Sequence, residues 1–150
     1  MNKIELESHS AEQTQQLASR CLEAATAPEA LTYVGVARAN LAWLAWRKGS
    51  VEEVLADGQA ALACWHRPPS AYPFHWLGLW PLLAVALSQG TLDDALDHAR
   101  SLIDAGQQPP RIPLAVILEE AIAAGEGGLV EATHSHLVRA VELAQEMGYL

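Results

Sequence analysis

The stretch Gly90-Thr-Leu-Asp-Asp-Ala95 has two counterparts in this chain, Gly49-Ser-Val-Glu-Glu-Val54 and Gly127-Gly-Leu-Val-Glu-Ala132. Each begins with glycine, carries an apolar residue two positions later, and has one or two acidic residues in the following helix turn before a small or apolar residue. Glycine commonly ends a helix and acidic residues favour a helix first turn, so each hexamer predicts a tight turn between two helices. The hexamers recur about every 40 residues, which is typical of a solenoid of stacked helix hairpins.

Helix start and stop signals divide the rest of the chain in the same way. They predict a single helical-repeat domain over residues 1–150, with an N-terminal helix and three hairpins, at about 10–25, 28–66, 73–105 and 112–147. Capping boxes are predicted to begin at four residues, Ser10, Thr26, Ser50 and Thr91. Pro81 is predicted to kink or restart the fourth helix, and the cluster 125–128 to form a turn.

The composition also favours packed helices. The chain is 51% hydrophobic but only 6% aromatic, because alanine supplies much of the apolar content. Alanine has the highest helix propensity and permits close helix packing, whereas sheets favour β-branched and aromatic residues. At 150 residues the chain can bury a sizeable core. We therefore predict an all-α fold of about seven helices and exclude disordered and collagen-like classes.

Over roughly residues 31–147 the chain resembles the tetratricopeptide repeat family. In the first hairpin the resemblance rests on Leu41-Ala42, on Gly49 at the turn, and on Ala61-Leu62 late in the second helix. In the second hairpin it rests on Gly90, Ala95 and Ala99. The interval is longer than the family's 34 residues, so the units are tetratricopeptide-like. The resemblance implies a short right-handed solenoid of stacked antiparallel hairpins.

A second resemblance concerns the later part of the chain. Residues 101–110, 118–121 and 140–149 are similar to the C-terminal helical-repeat region of multidomain bacterial signalling ATPases and nucleotide cyclases. This similarity implies a role in bacterial signalling or regulation, and a chain that is either a whole protein or a piece of a larger regulator.

The tetratricopeptide resemblance also implies a binding surface, because the first helix of each hairpin lines the concave face in that family. Matched through the turns, ten residues are implied as partner-binding there: Val36, Trp43, Trp46, Arg47, Leu77, Trp80, Ala84, Leu87, Leu114 and Ile117. An exposed apolar face of this size would mark a binding site. In the alternative, an extra helix, a tight superhelix or a second copy covers the face, and the tryptophans belong to the core.

The predicted function is a non-enzymatic protein–protein interaction module that binds an apolar helix or peptide. Two alternatives remain open at this point: a small-molecule sensor with a Trp-lined cavity, and a homodimerisation scaffold.

Charge and targeting signals narrow the classes of partner. The formal charge is −9 and the basic residues are scattered apart from Arg47-Lys48, which argues against nucleic acid and anionic membranes as partners. The apolar run 76–87 is shorter than a bilayer span, and no signal peptide is recognised. Cys21 and Cys64 lie far apart with no metal-site spacing, which suits a reducing compartment. We therefore expect a cytoplasmic protein.

Candidate chemistry in the sequence is weak. His134 and His136 are two residues apart and face different sides of a helix, and Glu131-x-x-His134 is only half of a di-iron motif. The glycine cluster 125–128 lacks the Lys-Ser/Thr that holds phosphates. The sequence therefore predicts no metal, no cofactor and no catalytic residue.

Overall fold

A computed structural model describes residues 3–24, 30–66 and 72–150. Regular structure within these ranges is entirely helical, which confirms the all-α prediction. The seven helices are α1 (Lys3–Ala24), α2 (Leu31–Lys48), α3 (Val51–Trp65), α4 (Trp76–Ser88), α5 (Leu92–Leu102), α6 (Ile112–Glu126) and α7 (Val130–Glu146). None of these helices is long and apolar enough to cross a membrane.

The helix ends differ from the sequence predictions in several places. Helix α1 begins at Lys3, so Ser10 lies inside it and the capping box predicted there is wrong. Ser50 and Thr91 do occupy N-cap positions, but neither side chain caps its helix. The Thr91 hydroxyl instead donates to the Ala86 carbonyl at 3.1 Å. The box predicted at Thr26 lies outside the described residues.

The three predicted turns share one backbone geometry. Gly49, Gly90 and Gly128 are left-handed, with φ of 77°, 73° and 70°. The amide after each glycine donates to an alanine carbonyl five residues back at 2.9–3.0 Å, in the pairs Ser50 to Ala45, Thr91 to Ala86, and Leu129 to Ala124. This 6→1 bond is the Schellman motif that ends helices. In the third turn the left-handed residue is Gly128, because Gly127 keeps helical angles at the end of α6.

The helices pack mainly against their neighbours in the chain. Helix α2 contacts α1, α3 and α4, and α4 contacts α3, α5 and α7. Helix α6 contacts α5 and α7. Ala45, Val54 and Val85 form one buried cluster, which brings the α2–α3 turn beside the end of α4. The turns of the first two hairpins therefore lie at the same end of the molecule.

Helix α4 is the centre of the core. Its residues 78–86 are all buried, as expected for a helix that is apolar nearly all round. Pro81 lies inside this helix without dividing it, although its ring nitrogen cannot donate to the Leu77 carbonyl. Leu79 and Leu83 join residues of α5, α6 and α7 in the main hydrophobic cluster. Burial on every side holds together a helix that proline would otherwise weaken.

Three glycines permit close contacts between helices. A Cβ added to Gly58 in α3 would lie 2.7 Å from Cγ of Leu82, and one on Gly125 would lie 2.6 Å from Cδ1 of Leu96. A Cβ on Gly35 in α2 would overlap the indole ring of Trp65. Gly125 therefore lies within α6 at a helix contact, whereas the sequence predicted that it would belong to a turn.

The connection from α3 to α4 carries an aromatic cluster around the buried side chain of His75. The His75 ring stacks on Trp65, with centroids 5.5 Å apart and an angle of 13°, and lies 5.2 Å from the His66 ring. Its backbone N–H donates to Oε1 of Gln107 at 2.9 Å. Burial lowers the pKa of His75, and nearby His66 lowers it further, while Asp104 acts in the opposite direction.

Because of His75, we expect the free energy of unfolding to fall in mild acid. Its pKa is about 6.5 in the unfolded chain and lower in the folded one, so protonation favours unfolding. The contribution is complete above pH 6.5 and is lost as the pH falls through the folded-state pKa. We expect His75→Phe, which keeps a stacking ring, to flatten the decline of the free energy of unfolding below that pH, measured by urea denaturation.

Part of the pH dependence should remain in His75→Phe. Burial also lowers the pKa of His98, which is unchanged in the variant. An identical pH dependence in the wild type and in His75→Phe would contradict the assignment to His75.

Candidate functional site

The structure divides the ten predicted partner-binding residues between core and surface. Trp80, Ala84 and Leu114 are buried, with 0%, 3% and 0% of their surface exposed. They cannot contact a partner without a rearrangement of the core. Six others are partly buried and one is exposed: Val36, Trp43, Trp46, Leu77, Leu87 and Ile117, and then Arg47.

The partly buried residues do not form one open surface either. Val36 and Leu77 pack against the small cluster that contains Trp65, whereas Leu87 and Ile117 pack against the main core. Trp46 contacts the main core and also the cluster around Val85. These residues therefore pack in at least two separate regions. The burial of Trp80 agrees with the alternative in which the tryptophans belong to the core.

Tyr149 lies against the tryptophans of α4. Its ring packs edge-on against Trp76 at 5.1 Å and lies 6.0 Å from the Trp80 ring. The Tyr149 amide donates to the Ala144 carbonyl at 2.8 Å, and Leu150 is buried in the main core. The chain after α7 thus helps to close the part of α4 that the sequence assigned to a partner.

The space beside these tryptophans is too small for a ligand. The cavity bounded by Trp76, Trp80 and Tyr149, together with Pro109 and Pro110, has a volume of about 10 Å³. A cavity of this size holds about one water molecule. The buried indole N–H of Trp80 has no hydrogen-bond partner within the described part of the chain.

A larger cleft lies where the second and third hairpins meet at their turns. Its volume is about 500 Å³. Seven residues from the end of α4, the following turn, and the starts of α5 and α7 line it: Leu87, Gly90, Leu92, Val130, Glu131, His134 and Ser135. Val130 is 65% exposed and its neighbour Leu129 is 60% exposed. The cleft thus has partly apolar walls, and two exposed apolar residues lie at the start of α7, so we take it as the candidate site.

The turn geometry explains why these side chains meet. Each Schellman turn sends the chain directly into the next helix, so Leu92 and Val130 begin α5 and α7. Leu96 of α5 lies against Gly125 near the end of α6, which draws the α6–α7 turn towards the α4–α5 turn. The starts of α5 and α7 therefore both line the cleft.

The polar side chains that line the cleft, Glu131, His134 and Ser135, all belong to α7. His134 and Ser135 are adjacent on α7 and so point in different directions. No hydrogen bond of the described residues joins them or links His134 to Glu131. His136 makes its contact elsewhere, with Nδ1 3.4 Å from Oε2 of Glu120. Within the described ranges, no three His, Cys, Asp or Glu side chains gather in a way that could hold a metal ion.

Of the ten predicted residues, only Leu87 lines this cleft. Leu92 and Val130 were missed, although the sequence contained a signal for such positions. The first two turn hexamers carry one apolar residue in an otherwise polar helix first turn, and the third carries two, Leu129 and Val130. Such residues suggest contacts across the turns. No protein-family model, curated protein or solved structure matches this chain.

Proposed function

We propose that the chain is a short stack of tetratricopeptide-like hairpins that serves as a non-enzymatic protein-interaction module. Three helix pairs joined by the same left-handed glycine turn support the repeat. Contacts between successive hairpins support their stacking. The third hairpin departs from a regular stack, because α4 contacts it through α7. The predicted setting in bacterial signalling stays a prediction.

We place the binding site at the cleft between the turns of the second and third hairpins. The observation that carries this proposal is the cleft of about 500 Å³, whose walls include Leu87, Leu92 and Val130. Exposed apolar side chains beside a cleft are a feature of protein-binding surfaces. Because Leu129, which directly precedes Val130, is also an exposed apolar residue, we favour a peptide or helix over a small molecule as the occupant of this site.

The proposal can be tested by selecting peptides from a random display library against the chain. We expect enriched peptides to bind wild type and to lose about tenfold or more in affinity, at least ~1.4 kcal/mol, with Val130→Asp. Val116→Asp is the matched control, since Val116 is 46% exposed on α6 and lies outside the lining of the cleft. Circular dichroism should show that both variants remain helical.

Two outcomes would overturn the site. The first is a selection that enriches no peptide, and the second is a set of peptides that bind Val130→Asp as tightly as wild type.

A further inference from the structure

We infer that the partner segment is cationic as well as apolar, an amphipathic helix or peptide whose Lys or Arg residues face the acidic side of the cleft. This inference rests on the proposed function and specifies the chemistry of its partner.

Acidic residues lie in and beside the cleft. Glu131 lines the cleft, and Asp93 and Asp94 directly follow Leu92 in the first turn of α5. All three are exposed. None forms an ion pair with a described lysine or arginine, and the residues that line the cleft include neither of these types. The cleft is therefore lined by one carboxylate, that of Glu131, and two more carboxylates lie in the adjoining first turn of α5.

The helix dipoles do not cancel this charge. Acidic residues are favourable in a helix first turn because the helix N-terminus carries about +0.5 of an elementary charge. The first turn of α5 has two carboxylates, Asp93 and Asp94, and that of α7 has Glu131. A negative charge therefore remains at both helix starts, within a chain whose formal charge is −9. An apolar segment that also carries positive charge would be attracted to this site.

The same charge argues against other occupants. A second copy that bound through the same surface about a two-fold axis would bring the two surfaces that contain Glu131 together. It would also bring together two chains that each carry −9. Phosphate-bearing partners would be repelled for the same reason. A partner that is both apolar and cationic is the class that the apolar residues and the carboxylates in and beside the cleft favour.

Two designed helical peptides of about 18 residues, or five turns, provide the test. They share one leucine face, and their polar face carries lysine in one and glutamate in the other. By fluorescence anisotropy, we expect the lysine peptide to bind with a Kd of about 10 μM and the glutamate peptide at least about tenfold more weakly. Binding of the lysine peptide should weaken as salt rises from about 0.05 to 0.5 M.

Charge reversal in the protein localises the effect. We expect Glu131→Lys to lower the affinity of the protein for the lysine peptide by about tenfold. The matched control is Glu119→Lys, on exposed α6 surface outside the cleft lining, and it should change the affinity by less than about threefold because of screening by salt. The affinity of Val130→Asp for the lysine peptide then tests the contribution of the apolar residues that line the cleft.

The outcomes separate the two proposals. If both peptides bind equally and both are lost with Val130→Asp, the cleft is a binding site but the cationic partner is wrong. If the lysine peptide binds Glu131→Lys, Glu119→Lys and Val130→Asp equally, its binding is diffuse attraction and the inference is overturned. Failure of both peptides to bind wild type would also overturn it, whereas the display selection would still test the cleft.

Discussion

Trp80→Ala is expected to lower the free energy of unfolding by about 3–5 kcal/mol, the usual cost of truncating a large buried aromatic residue. The Trp80 side chain is fully buried, and Leu79 and Leu83 of the same helix belong to the core that surrounds it. Because Tyr149 packs against it, the cavity left behind would also loosen the chain after α7. Urea denaturation followed by circular dichroism measures the loss.

Two further variants test whether the cost of Trp80→Ala comes from the loss of a buried ring. Trp80→Phe should cost distinctly less than Trp80→Ala, because it keeps most of the ring and removes an indole N–H that has no partner among the described residues. Trp43→Ala should cost only about 1–2 kcal/mol, since Trp43 is partly buried and its ring faces the Arg47 guanidinium at 4.8 Å. A loss below about 1 kcal/mol for Trp80→Ala would show that this side chain is not in the core.

Gly35→Ala is expected to destabilise the protein by about 1–3 kcal/mol, as overpacking usually does. An added Cβ would overlap the Trp65 indole. Trp65 cannot move away easily, because it is 2% exposed and its Nε1 donates to the Thr32 carbonyl at 3.2 Å. It also stacks on Tyr72 at 4.8 Å. The clash should outweigh the gain in helix propensity of about 1 kcal/mol that alanine brings.

Gly78→Ala is the matched control for this prediction. Gly78 is also buried inside a helix, but a Cβ there would meet its nearest neighbours, among them Cβ of Ala61, at 3.7 Å, which is ordinary contact. We therefore expect Gly78→Ala to stabilise the protein by about 0.5–1 kcal/mol through helix propensity. Equal effects of the two substitutions would mean that α2 and α3 do not approach as closely as the structure places them.

The positions of the hairpin turns could be predicted because their signals are local. A left-handed residue strongly favours glycine, and the acids that follow suit a helix first turn, so Gly49 and Gly90 were identifiable without knowledge of the fold. The third turn was placed one residue early, because Gly127 and Gly128 are adjacent and both can end a helix. Side-chain capping was overestimated for Ser50 and Thr91.

The candidate site could be predicted only in small part. A tryptophan on one side of an apolar helix has the same sequence pattern whether it faces a partner or the core. Trp80 belongs to the core because α7 and Tyr149, which are distant from α4 in the chain, pack against that helix. The cleft depends on the relative position of two turns, and pattern along a single helix contains no information about that distance.

The sequence by itself determined that the chain is all-helical and where its turns between paired helices lie, because helix propensity and glycine conformation act over a few residues. The tertiary structure alone decided which apolar residues are exposed. Burial depends on what each helix packs against, and the packing of the helices places Trp80, Ala84 and Leu114 in the core. The tertiary structure also brought Leu92 and Val130 together with Leu87 in the lining of one cleft near the turns.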